Sequence, residues 1–488
     1  MSSSSSSQLL LFLILFPYSC FCQEQFGSSF SNYTPTNSVH LNPSAMLDAK
    51  VRFDFHIIGV GTYTMNNLVY VENNSLMKII RNKKPVDENS IKYNQGKNYY
   101  HVYNRNFVSV LSGVWSQGDH AIGLSFNVKS FTAVRRIPKF VGPFIEHGVT
   151  QYTPQHGIDY SIHNMRVASV HYGEIKLSYA HTFLKKRRNM FMAGISINKL
   201  MSIAGAGLNL YDVSLDVRDK DLLSIFSFSG DAMMTPNPRL NTKGGLGLDL
   251  GFTFQKMKSD AVSYLPNSPK GGCRKAYYKY WIAASILDIG SLKLDPDATK
   301  IAGYEFQNYN WLNYDSITST QNNATEIFQN QDPNLDDLKV KKPYKVRLAT
   351  ALSVQGDYNF WNNKLYFNAS IMQGIPVSIH KFGIRRANSL MFGPRYETKY
   401  FDVSMPLSLY EYRYAQLGLS MRIWLLTIGT DKLFSWVGNG DLRGMDFYFQ
   451  IKVPIYSHKK CRASNKKGVG TQPRFRQRVK GCDAYSLL

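Results

Sequence analysis

Cysteine is scarce: five residues in a chain of 488, and three once the first 22 residues are set aside, Cys273, Cys461 and Cys482. Three cysteines in so long a chain exclude a disulfide-built scaffold, and their spacing excludes a paired zinc motif. One bridge, Cys461 to Cys482, and three free thiols are the alternatives left. Long apolar runs are missing too. Outside the N-terminus nothing approaches the roughly 18 uninterrupted apolar residues of a membrane-spanning helix, which excludes a helical membrane protein. Acid is under-represented, with 34 Asp and Glu against 57 Lys and Arg and a formal charge of +23. Nucleic acid is the reflex partner for such a balance. What is present points elsewhere: 44% hydrophobic and 14% aromatic residues exclude a disordered chain.

The N-terminus reads as a secretory leader. A serine run precedes an apolar block, Leu9 to Phe16, too short to span a bilayer, and Cys20 and Cys22 suit the small positions of a cleavage site. The expected division is residues 1–22 as signal peptide, 23–50 as an N-terminal segment, 51–456 as the folded body and 457–488 as a basic tail. An exported protein meets no nucleic acid, so the charge needs another counterpart.

The body is organised in period two. Phe447, Phe449, Ile451, Val453 and Ile455 alternate with Asp446, Tyr448, Gln450, Lys452 and Pro454. Leu246 to Phe254, Leu365 to Ile371 and Phe191 to Ile197 repeat the division. An apolar face opposite a polar or glycine-bearing one fits a one-sided soluble sheet or a barrel with lipid outside and a polar lumen. Connection lengths favour the barrel. About fourteen strands are expected, with tight links at 117–119, 185–188, 218–221, 360–362 and 410–412. Long links alternate with them at 73–105, 133–164, 231–243, 293–343, 376–396 and 429–444. Short turns on one side and long loops on the other are the outer-membrane pattern. Two links break it: 204–206 should be long, and 258–276 should be short. A kink at Asn66-Asn67 in the first strand would raise the count to sixteen.

Several segments resemble a known group. Asn42-Pro43-Ser44-Ala45 resembles the Asn-Pro-Ala segment near the N-terminus of FadL-like barrels and of PorV-type proteins of the type IX secretion system. Arg52 to Val60, Tyr172 to Ala180, Gly245 to Gly251, Ser285 to Ser291 and Asp446 to Ile455 look like a Bacteroidota family of outer-membrane barrels of unknown function. The resemblance covers about Ser38 to Ile455 and implies an all-β transmembrane antiparallel barrel related to PorV, the PorP/SprF type and FadL. It brings no catalytic residues. The chain departs from such barrels after Ile455, where a tail carries nine basic residues and one acidic.

Candidate sites follow. Asp249 and Asp288, on polar strand faces beside glycines, are expected in the lumen, either on a substrate path or paired with a neighbouring Lys or Arg. Asn42, Pro43 and Ser44 form the candidate plug motif, with 23–50 either plugging the lumen or lying at its periplasmic mouth. Lys459, Lys460, Arg462, Lys466 and Lys467 form a candidate periplasmic contact. His120, His163, His171 and His181 lack metal-ligand spacing. Gly244, Gly245, Gly247 and Gly251 lie within a strand, without the Lys-Ser/Thr and helix of a phosphate loop, so they more plausibly let the wall curve or an inner segment approach it. No nucleophile elbow has strand-turn-helix context. The expectation is a non-enzymatic outer-membrane barrel without cofactor, docking proteins in or near type IX secretion or surface-protein anchoring. Its partners would be the outer membrane and lipopolysaccharide, whose phosphates attract the seven cations between Asn73 and Arg105, and secretion or surface proteins. The alternative is a FadL-like transporter of hydrophobic small molecules.

Overall fold

The computed structural model describes residues 25–82, 90–143, 157–218, 222–235, 238–262, 264–268, 277–294, 299–312, 344–375, 383–438 and 440–456. The expected leader, the tail with Lys459, Lys460, Arg462, Lys466 and Lys467, and all five cysteines lie outside these residues.

Fourteen antiparallel strands close into a barrel: β1 Phe53–Asn66, β2 Tyr99–Gln117, β3 His120–Pro138, β4 Asp159–Lys186 and β5 Asn189–Val217. Three interrupted strands follow: β6 (Leu222–Met234 and Asn241–Met257), β7 (Tyr278–Lys293 and Thr299–Leu312) and β8 (Lys345–Arg347 and Ala351–Trp361). The wall continues through β9 Leu365–Gly374, β10 Ser389–Glu397, β11 (Phe401–Ser404 and Leu407–Tyr410) and β12 (Tyr414–Leu417 and Leu419–Ile423). It ends with β13 Leu426–Thr430 and β14 Asp446–Ile455. Closure is direct, because Phe53 in β1 registers with Trp115 of β2 on one side and Ile455 of β14 on the other. No open sheet edge remains, because each wall strand pairs with a neighbour on both sides, as a hydrocarbon environment requires.

The alternation has the expected sense. Leu177, Ile197, Phe252, Ile282, Phe367 and Ile371 point outward and exposed, while Ser178, Asn198, Thr253, Ala283, Asn368 and Ser370 beside them are buried inward. Trp361, Trp424 and Tyr400 stand exposed at the short turns, where an interfacial aromatic belt belongs.

The total of fourteen conceals four local departures that offset one another. Residues 189–217 are one strand where two were expected. At 28 and 29 residues, β4 and β5 far exceed the roughly 9–11 residues needed to cross a bilayer. They therefore project beyond it on the long-loop side, where lipid no longer dictates which face is apolar, and the pattern fades at Ala204–Ala206. Likewise 231–243 is no loop: β6 pairs with β5 on both sides of a short gap, where Pro238 has no N–H to give. Conversely, β10 was hidden in an expected loop because Gly393-Pro394 lies inside it. Residues 413–428 hold two strands, since the turn at Trp424 (φ 50°) carries none of the usual Gly or Asn signals. The links after Val217 and at 411–413 consequently lie with the long loops, not with the tight turns. The kink at Asn66 is real, but Val69–Val71 ladders with Ile91–Tyr93 in a separate ribbon, tied to the rest by a single bridge from Val71 to Leu442, so sixteen strands are not reached.

The link 258–277 remains long on the short-turn side. Its described residues cross the mouth there: Asn267 Nδ2 donates to the Ala49 and Val51 carbonyls at 3.1 and 3.0 Å, Gly118 N donates to Pro266 O at 2.7 Å, and Lys185 Nζ donates to Tyr264 O at 2.7 Å.

Candidate functional site

Residues 25–51 run inside the barrel and are buried almost throughout. Two single-turn helices, Phe26–Ser29 and Pro35–Ser38, and a 3-10 segment, Pro43–Asp48, make up the plug. None is long enough to be stable alone; the wall holds them. Asn42 caps the 3-10 segment by accepting from Ser44 N at 2.9 Å, and its Nδ2 donates to Gln355 Oε1 at 3.1 Å. Ser44 Oγ lies 2.7 Å from Thr253 Oγ1, and Ser285 Oγ donates to Leu41 O at 2.7 Å. On the opposite wall Thr36 Oγ1 donates to Asp54 at 2.6 Å, and Asn37 Nδ2 donates to Gln450 at 2.7 Å.

Two glycines make this approach possible. A Cβ at Gly251 would overlap the Asn42 amide oxygen and the Pro43 ring, and one at Gly194 would lie 2.6 Å from the Pro43 carbonyl carbon. The wall is thus smooth where Asn42, Pro43 and Ser44 press on it.

Charges in the lumen are matched. Arg395, with no exposed surface, lies 2.8 Å from Asp357 and 3.2 Å from Glu397, and it also donates to the Phe30 carbonyl of the plug. Lys129 pairs with Glu174 at 2.8 Å, Lys176 with Asp249 at 2.6 Å, Arg386 with Asp288 at 3.1 Å, and Arg422 with Asp402 at 3.7 Å. Lys452 lies 3.9 Å from Asp54 and donates to Thr36 Oγ1 of the plug at 2.8 Å. Such pairs are costly to break one partner at a time, because the survivor is a buried, uncompensated charge.

Asp249 and Asp288 are therefore neighbours in one network. Asp249 Oδ2 also accepts from Asn198 at 3.1 Å, and its Oδ1 accepts the Asp288 backbone N–H at 2.7 Å. Asp288 does not reach the lumen by alternation. Register shifts between Ile286 and Ile289, Asp288 takes φ 53°, and this bulge turns both Leu287 and Asp288 inward. Above the plug, a cavity of about 40 Å³ lies between His40 and Gln25 on one side and Lys129, Lys176, Asp249, Asp288 and Arg386 on the other. A second, of about 50 Å³, continues outward past Arg105, Phe131 and Tyr103. Enclosure, with Lys176 and Lys129 facing it, holds the His40 imidazole well below its usual pKa, so it is neutral.

Sequence reasoning missed the cations and acids that complete these pairs, because β1, β3, β4, β6, β7, β8, β10, β11, β12 and β14 each supply only one or two. It also missed the stacking of His120 on His181, with ring centroids 4.6 Å apart across β3 and β4. Among the described residues no group of three or more His, Cys, Asp or Glu is placed to hold a metal.

The model of a protein family described as a family of unknown function, DUF5723, matches residues 43–431, from the plug through β13. The chain belongs to that family. No curated protein matches this DUF5723 member. Solved structures similar to it include the toluene transporter TbuX of Ralstonia pickettii, 9% identical with a TM-score of 0.38, covering 86% of this chain and 93% of that one. The toluene transporter TodX of P. putida is 10% identical with a TM-score of 0.30, covering 86% and 94%. The siderophore receptor PirA of Pseudomonas aeruginosa is 9% identical with a TM-score of 0.15, covering 83% and 80%.

Proposed function

We propose that this DUF5723 protein is a closed, non-enzymatic outer-membrane barrel that works as a docking or structural component. One observation carries the proposal: the lumen is filled by residues 25–51 and bridged to them from opposite walls by Asn42, Thr36, Asn37, Arg395 and Lys452. A wall lined by matched charges suits a rigid platform and opposes the passage of apolar molecules, which prefer a pocket lined by hydrophobic and aromatic groups. Type IX secretion or surface-protein anchoring is the proposed setting, on the likeness of Asn42 to Ala45 to PorV-type barrels. The basic tail, with Lys459, Lys460, Arg462, Lys466 and Lys467, is the proposed periplasmic contact, and the leader delivers the chain across the inner membrane.

Co-purification from detergent-solubilised membranes tests docking. A secretion or surface protein recovered above background supports it; recovery of the barrel alone counts against it. Deleting residues 459–488 is expected to leave the barrel inserted and to weaken the periplasmic association. The second reading is a FadL-like passage for hydrophobic molecules, favoured by the two cavities stacked above the plug. Toluene uptake into vesicles holding the purified barrel, lost on plug cross-linking, would replace docking with transport.

A further inference from the structure

At the long-loop end the lumen widens into a cavity of about 500 Å³. Among the described residues six cations line it, Lys97, Arg135, Arg136, Arg166, Arg385 and Arg413, against one carboxylate, Glu411. That carboxylate is already engaged, lying 3.5 Å from Arg385 and accepting the Asn388 N–H at 3.0 Å. Arg135, Arg166 and Arg413 have no acidic partner among the described residues. The lumen below instead pairs Lys129, Lys176, Arg386, Arg395, Arg422 and Lys452 with carboxylates at 2.6 to 3.9 Å.

Gathering like charges in a recess raises the energy of the empty site, and a multiply charged anion lowers it. Guanidinium forks match phosphate and carboxylate oxygens two at a time. Tyrosines stand among them with fixed rings. Tyr414 accepts from Lys97 Nζ at 2.9 Å and from Asn67 Nδ2 at 3.0 Å, and Arg136 stacks 4.6 Å from the centre of Tyr99. Flat rings with polar rims suit a ligand that is apolar on its face and polar at its edge, which describes a sugar ring. The volume belongs to the small-molecule range of roughly 300–1,000 Å³, enough for a few rings and too little for a folded protein surface.

We propose that this mouth binds an acidic saccharide bearing phosphate or carboxylate groups. The site needs neither a mobile plug nor a docked protein, so it stands apart from the docking function. The test is calorimetric titration of the intact barrel in an uncharged, sugar-free detergent with trigalacturonate, glucose 1,6-bisphosphate, maltotriose and inorganic phosphate. At least one acidic sugar should bind tenfold or more tightly than maltotriose and inorganic phosphate, and more weakly at higher salt. The double variant Arg166→Gln with Arg413→Gln should lose tenfold or more of that affinity while keeping the heat-modifiable migration of a folded barrel. Displacement of the acidic sugar by deacylated lipopolysaccharide core identifies the surrounding leaflet as the source, and failure of displacement identifies a free saccharide. No binding of either acidic sugar, maltotriose or phosphate binding as tightly, or an unchanged affinity in the double variant overturns the proposal.

Discussion

Arg395 and Arg166 are both arginines projecting from the barrel wall, about as far apart in circumstance as one chain allows. Arg395 has no exposed surface and is clasped by Asp357, Glu397 and the Phe30 carbonyl; Arg166 lines the outer cavity with no acid among the described residues to meet it. The difference separates charge that builds the barrel from charge left over for something else. Below, Arg395 and Lys452 answer carboxylates and the plug; above, six described cations gather around one described carboxylate, Glu411.

Substituting Arg395 by Met should give the largest effect. It strands two buried carboxylates, a change costing about 3–5 kcal/mol, and the temperature at which heated barrel shifts on a gel should fall sharply. A matching loss at Arg166 would erase the distinction. Gly251→Val comes next. Its side chain would occupy the space of Asn42 and Pro43, an overpacking worth about 1–3 kcal/mol, and planar-bilayer recordings should show conductance absent from the parent protein. His40 sets the third effect. Its folded pKa is depressed, so the unfolded chain takes up a proton that the folded one refuses. Stability is complete above about pH 6.5 and falls as pH drops below it, by at most about 1.4 kcal/mol per pH unit. Denaturant midpoints at pH 7.5 and 5.0 should converge in His40→Gln relative to the parent, and an unaltered gap would remove His40 as the cause. Arg166→Gln should be the mildest, shifting stability by less than about 0.5 kcal/mol while changing anion affinity.

How much of this the sequence disclosed depends on whether a residue's role is set by its neighbours along the chain or across it. Leu246 to Phe254 display their two faces openly, because lipid on one side and lumen on the other impose a period of two. Gly251 and Asn42 were both visible as candidates, one as a place where an inner segment could approach and the other as plug, though nothing in either segment announces that they meet. Asp288 was placed in the lumen for an insufficient reason: strict alternation sends it outward, and only the bulge after Ile286, which local sequence does not signal, brings it back. The strand total was legible, yet Trp424 and Pro394 show why individual strands were not. A turn without Gly and a strand with Pro both run against local preference, and the closed wall overrides it. The outer cavity was hidden altogether. Lys97, Arg135, Arg166, Arg385 and Arg413 come from separate loops and strand ends, and only closure gathers them.

The plug precedes β1 and is gripped by β14. Asn37 bonds Gln450 across 413 positions of sequence, and Thr36 bonds Lys452 across 416. Contacts of such separation wait for the whole chain to emerge. The grip of β14 on the plug and the seam between β1 and β14 are thus both made by the last strand. Any substitution that weakens the seam therefore also loosens the plug, because the same strand holds both.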